Sequence, residues 1–177
     1  FQYKADAEKY YALLKERLRK FNLELEESKS RLIEFGRFAE SNCKRRGDRK
    51  PETFDYLGFT FYCGKGKKNG NFCVKLKTSR KKYTQKLKAM KEWLYANNDL
   101  PVKELIAKLN KKLIGHYRYY GISFNIKKLG SFLHFTQRYL CKALNRRSQM
   151  KSYTWDGFAD MLKVYPLAKP KIYVRLF

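Results

Sequence analysis

Phe54-Asp55-Tyr56-Leu57-Gly58-Phe59-Thr60-Phe61 is the stretch that divides this chain. Its aromatic and β-branched residues favour an extended strand, and a glycine within a strand predicts the close approach of another backbone or a ligand at Gly58. A Gly/Asn/Lys turn from Tyr62 to Asn71 follows, then a second alternating run from Phe72 to Leu76, which together read as a β-hairpin. After Lys77 the pattern is helical almost to the end. Before Phe54 the chain offers one helix, two short extended runs and a charged loop.

Charge divides at nearly the same place. The chain of 177 residues carries 41 Lys+Arg against 16 Asp+Glu, a formal net charge of +25. Residues 1–40 hold nine basic and eight acidic side chains, so residues 41–177 carry 32 against 8. No acidic residue stands between Glu104 and Asp156, a span that contains eleven lysines and arginines. Unrelieved like charge repels itself unless an anionic partner neutralises it, and a solvated helix face ordinarily mixes signs to gain i,i+4 pairs. The partner predicted is a polyanion.

Other chemistries find no support. Cys43, Cys63, Cys73 and Cys141 form no C-x-x-C pair and have no histidine at zinc-finger spacing, so no metal site is predicted and buried thiols in a reducing compartment are expected. No apolar run reaches the ~20 residues of a membrane span, which predicts a cytoplasmic protein, in a bacterial or organellar interior, with no membrane partner. Neither histidine accompanies a nucleophile motif, and the Asp156/Asp160 pair on a short helix is not the rigid cleft that metal-assisted phosphoryl transfer needs. There is no phosphate-cradling glycine loop.

Taken in order, Ala7, Tyr11, Leu14, Leu18 and Phe21 mark a helix with Asp6 as its cap and Asn22 as its stop. Leu23–Leu25 and Arg31–Phe35 read as short strands, and Glu40–Glu52 as a loop without periodicity. Thr78 or Ser79 caps a helix ending at Asn97-Asn98. Pro101 opens a second helix, and a break at 121–125 leads to a third through Leu140 and Leu144. Three amphipathic helices with short connections predict a bundle. A short helix around Trp155–Leu162 and a Pro-punctuated tail complete the chain. In Gly115-His116-Tyr117-Arg118-Tyr119-Tyr120-Gly121, rings alternate with a cation, an arrangement that holds single-stranded nucleic acid; the same spacing also serves to plug a helical bundle.

Leu13–Leu18 with Phe21–Leu25, Lys29–Ala39 and Phe54–Phe59 together resemble the later part of the palm in group II intron reverse transcriptases (maturases). Lys111–Ile122 and Leu144–Gln149 with Trp155 resemble the thumb, or X domain, of the same family. The resemblance implies an α+β fold: a partial palm (helix plus antiparallel strands and a β-hairpin) over 1–77, a three-helix thumb bundle over 78–150, and a C-terminal helix and tail over 151–177. It implies that Lys29 assists the departing pyrophosphate and that Tyr56, Leu57 and Gly58 are the primer grip. With the charge pattern, it points to nucleic-acid binding by Lys81, Lys82, Lys86, Lys111, Lys112, Tyr117, Arg118, Tyr119, Lys127, Lys128, Arg138, Lys142, Arg146 and Arg147. The family has glycine at the position of Asn22 and threonine at that of Ser30, both mild departures.

The family's Asp-Asp turn falls before the position of Phe1, so the resemblance implies a chain that does not join nucleotides alone. Mg²⁺ is expected only in the complete enzyme. The implied partners are group II intron or template RNA, an RNA/DNA duplex, and the N-terminal fingers and palm half of the polymerase, in cis or as a separate chain. The alternative is a non-enzymatic, maturase-like protein that stabilises a folded RNA.

Overall fold

A computed structural model describes residues 1–66, 69–147 and 153–176. The expected boundary at 150/151, together with Ser148 and Gln149, lies outside the described residues. The chain forms two compact units, Phe1–Thr53 and Phe54–Phe177.

In the first unit, helix α1 spans Lys4–Arg19. It starts two residues before Asp6, from Tyr3, without a side-chain cap. Its end is as expected: Asn22 takes φ 55°, the Asn22 N–H donates to the Arg19 carbonyl at 3.1 Å, and the Leu23 N–H donates to the Leu18 carbonyl at 3.0 Å. This is the paired bonding of a left-handed helix stop, with asparagine where glycine is usual. The two short strands expected at 23–25 and 31–35 do not form. A strand exists only through a ladder to a neighbour, and the polar groups here turn instead to the helices. Glu27 pairs with Lys15 of α1 at 2.6 Å, and Glu34 pairs with Arg46 at 2.6 Å. The expected loop after Glu40 contains a second helix, α2 (Ala39–Arg45), because Ala39 and Cys43, one turn apart, are both buried.

The second unit holds the main core. The stretch read as one strand is a tight hairpin: β1 (Phe54–Tyr56) pairs antiparallel with β2 (Phe59–Lys65), Tyr56 opposite Phe59. Leu57 and Gly58 form the two-residue turn with φ 48° and 81°. Positive φ at both central residues matches the right-handed twist of the strands, and glycine in second place makes it feasible. The predicted crowding at Gly58 is also present, since a Cβ there would stand 3.3 Å from the Tyr120 hydroxyl. Strand β3 (Phe72–Thr78) pairs antiparallel with β2, as the alternation predicts.

Three helices follow: α3 (Arg80–Ala96), α4 (Val102–Tyr120) and α5 (Ile126–Leu144). Ser79 caps α3, its hydroxyl accepting from the Lys82 N–H at 3.4 Å. Leu94, Leu105, Leu109, Leu113, Leu129 and Leu140 are fully enclosed, at 0% exposure, so the leucine stripes meet in one bundle core. Phe59 and Leu76 of the sheet join that core. Helix α6 (Trp155–Val164) adds Phe158.

Three asparagines lock the unit by using both ends of their amides. Asn125 is fully buried: its Oδ1 accepts from the Thr78 N–H at 3.0 Å, and its Nδ2 donates to Thr78 Oγ1 at 2.8 Å and to the Tyr120 carbonyl at 2.9 Å. Asn110 donates to the Pro166 carbonyl and accepts from the Ala168 N–H, fixing the tail to α4. Asn145 holds both the N–H and the carbonyl of Tyr153. Gly121 completes the tail's seat, because a Cβ there would overlap the Tyr117 carbonyl and lie 2.6 Å from that of Lys171.

His116 of α4 lies flat on Phe132 of α5, with ring centroids 3.8 Å apart and planes at 11°. Burial, and then the charge of Lys86, push its pKa from 6.5 down to about 4, so the imidazole is neutral at physiological pH.

Two outcomes are predicted from this packing. Asn125→Ala strands the buried Thr78 N–H and removes the bonds donated to Thr78 Oγ1 and to the Tyr120 carbonyl, which keeps the Ile122 N–H. At roughly 1–3 kcal/mol for the stranded donor and about 1 for a lost bond, urea denaturation at pH 7 should show a loss of at least ~2 kcal/mol, and an unchanged midpoint would contradict the role assigned to this residue. The unfolded chain protonates His116 before the folded one does. Its contribution is therefore intact above pH 6.5 and is lost as pH falls toward 4, by up to roughly 3 kcal/mol. Denaturation at pH 7 and pH 4.5 should show a smaller difference in His116→Phe than in the parent chain.

Candidate nucleic-acid interface

Helices α3 and α4 stand apart along one side of α5 and leave an open groove of about 820 Å³ between them. On α3, Lys82, Lys86 and Trp93 recur at four and seven residues, which places them along one stripe. On α4, Lys112, His116 and Tyr119, spaced by four and three residues, also share one stripe. Phe132 of α5 and Met90 of α3, both buried, form the floor, and the Leu57–Gly58 turn closes one end.

The turn is held in place by its neighbours. The Tyr119 hydroxyl donates to the Leu57 carbonyl at 3.0 Å, the Ser79 N–H donates to the Gly58 carbonyl at 2.9 Å, and the Tyr119 ring lies nearly parallel to Phe59. These bonds offset the strain of a non-glycine residue at positive φ. The turn is thus a fixed rim of the groove.

The three groove lysines are exposed. Among the described residues none of them forms a salt bridge, whereas Lys88 and Lys108 are paired with Glu92 and Glu104 one helical turn away. Lys112 Nζ lies 4.8 Å from the centre of the Trp93 ring, a cation–π contact that leaves its charge unneutralised. With His116 neutral, the groove joins cations at its edges to an aromatic and apolar interior.

Of the residues predicted to bind nucleic acid, only Lys82, Lys86, Lys112 and Tyr119 line this groove. Tyr117 is a correction: it is 1% exposed and part of the core, so it cannot meet a base. At helical spacing it falls in register with Leu109 and Leu113, and packing claimed it. Its hydroxyl is the one buried side-chain polar atom without a partner among the described residues, and burial pushes its pKa up. Lys111 and Arg118 share the outward face of α4, and Lys81 is exposed outside the groove lining.

On α5, Lys127, Arg138 and Lys142 lie on the solvent face, opposite the buried Phe132, Thr136 and Leu140, and so point away from the groove. Lys128 sits over the Tyr83 ring at 4.9 Å and Arg146 over the Tyr95 ring at 4.6 Å. Arg147 donates to the Leu100 carbonyl at 2.7 Å, pinning the α3–α4 connection. Of the expected primer-grip residues, Leu57 and Gly58 line the groove, while Tyr56 is exposed on β1 outside it. Lys29 is exposed at the end of a 3-10 turn in the first unit.

Sequence reasoning missed Trp93 and read His116 within the Gly115–Gly121 run, as a nucleic-acid holder or a bundle plug, without naming it among the binding residues. The signal was available in the spacing: Lys82-x₃-Lys86-x₆-Trp93 and Lys112-x₃-His116-x₂-Tyr119 are two stripes of like composition on successive helices. Among the described residues no three His, Cys, Asp or Glu side chains come together as a metal site, and no helix is long and apolar enough to cross a membrane.

Residues 80–158 match the family model of the group II intron, maturase-specific domain. No match was found among curated proteins or solved structures. The matched span includes both walls of the groove and its floor, ending within α6. Residues 80–158 are a group II intron maturase-specific domain, the thumb or X domain of that family.

Proposed function

We propose that this chain is the C-terminal palm and thumb portion of a group II intron-type RNA-directed DNA polymerase, and that it grips template–primer or intron RNA along the α3–α4 groove. The observation that carries this reading is the set of Lys82, Lys86 and Lys112: three exposed cations without carboxylate partners among the described residues, converging on one groove inside the maturase-specific domain. Phosphates supply the missing countercharge. In this reading the Leu57–Gly58 turn, rigidly seated at the end of the groove, touches the primer backbone, with Gly58 letting the turn pack closely on Tyr120.

In this reading residues 1–77 belong to the palm, 78–150 to the thumb and 151–177 to an appended helix and tail. Lys29 serves the leaving pyrophosphate, and Mg²⁺ belongs to aspartates of the N-terminal fingers and palm half, joined in cis or as a separate chain. A second reading, a maturase-like protein that stabilises folded RNA without polymerising, is favoured by the groove being built wholly from Phe54–Phe177. Adding a fragment with the Asp-Asp turn separates the two: restored primer extension supports the first, and stable association without extension supports the second.

RNA affinity should fall steeply between about 50 and 200 mM salt, with each phosphate contact adding roughly 0.7–0.9 to the slope of log K against log salt. The triple variant Lys82→Ala/Lys86→Ala/Lys112→Ala should flatten that slope by about 2, while Lys127→Ala/Arg138→Ala/Lys142→Ala on the outer face of α5 should change it less. A parent slope near zero in a binding titration would overturn this reading.

A further inference from the structure

The α3–α4 groove is deeper and more aromatic than tracking a phosphate backbone requires. Lysines suffice for that, and they need only a shallow surface. Here the exposed lysines flank a half-buried His116 and the accessible rings of Trp93 and Tyr119. The open groove, about 820 Å³, has room for a nucleotide. His116 lies against the rings of Phe132 and Tyr120, and its nitrogens have no hydrogen-bond partner among the described residues. They are also not among the buried unpartnered atoms, so they face space that a ligand can enter.

We propose that this groove is a pocket for one unpaired nucleotide of a bound RNA, its base seated between Trp93 and Tyr119 with an edge toward the His116 imidazole, and its flanking phosphates held by Lys82, Lys86 and Lys112. The occupant follows from complementarity. A fully paired A-form helix presents ribose and phosphate and keeps its bases stacked, so it leaves the rings of Trp93 and Tyr119 unused. A protein segment would have to bring carboxylates for three lysines and an aromatic side chain for Trp93 and Tyr119, both of which one nucleotide carries in phosphate and base. The neutral imidazole offers one donor and one acceptor to a base edge, which a protonated ring would not. Burial is what keeps it in that form.

Gly115 provides the means of testing this without disturbing the fold. It lines the groove, and a Cβ built on it meets nothing within 4 Å. Replacing a mid-helix glycine also favours the helix. Gly115→Leu therefore starts from an open Cβ position and extends into the groove, and an unchanged denaturation midpoint shows that the fold is kept.

The inference rests on the RNA-binding reading above, and the experiment separates the two. The probes are an RNA hairpin with a fully paired stem and the same hairpin with a single unpaired adenosine in the stem. Stacking of one base predicts that the parent chain binds the bulged hairpin at least about fivefold more tightly. Gly115→Leu and His116→Phe should bring the ratio toward one, and His116→Gln, which keeps a donor and an acceptor, should retain more of it than His116→Phe. Equal, tight binding of both hairpins by the parent would overturn the pocket and leave the RNA-binding reading standing. A preference that survives Gly115→Leu would also overturn it. Failure to bind either hairpin at low salt would overturn both.

Discussion

The buried amide of Asn125 is the junction on which the helical unit depends. It joins the last residue of β3, the last turn of α4 and the first turn of α5 at one point, with its oxygen and both N–H groups engaged. Hydrophobic burial alone would allow the sheet to slide over the bundle, because leucine contacts carry no direction. A fully satisfied buried amide does carry direction, since any shift leaves polar groups without partners. Its placement at the base of α3 and α4 sets where the sheet edge stands, and so where the Leu57–Gly58 turn meets the groove.

The same logic runs through the unit. Asn110 and Asn145 each clasp a backbone segment with both ends of the amide, holding stretches that form no strand or helix of their own. Tyr119 plays a related part at the surface by tying the turn to α4. The effect on function is pre-organisation: the rim and walls of the groove are set by interactions internal to the protein, so a ligand meets cations and rings already placed and less ordering free energy is lost on binding.

Much of this was legible in the sequence. Period-3.6 leucines gave the three helices, and Ser79 and Asn97 marked the limits of α3. Asn22 was readable as a helix stop because asparagine tolerates positive φ. The division of charge pointed to a polyanion. Other features were decided by tertiary contacts that no local pattern records. Leu57 does not look like a turn residue, and only the bonds from Tyr119 and Ser79 make its φ tolerable. The extended segments around Leu23 and Leu32 have strand composition but no ladder. Tyr117 and Tyr119 stand two residues apart in one aromatic run, yet the helical turn sends one into the core and the other to the groove. Net charge, finally, is a sum without direction. The outer face of α5 takes a share of it as large as that of the groove.

That last division makes the location of bound RNA the decisive observation. Lysine acetylation read by mass spectrometry, with and without a structured RNA, reports it residue by residue on the intact chain. The account predicts that RNA protects Lys82, Lys86 and Lys112 while Lys111 and Lys142 stay reactive. Protection of Lys127 and Lys142 with the groove lysines unchanged would contradict it.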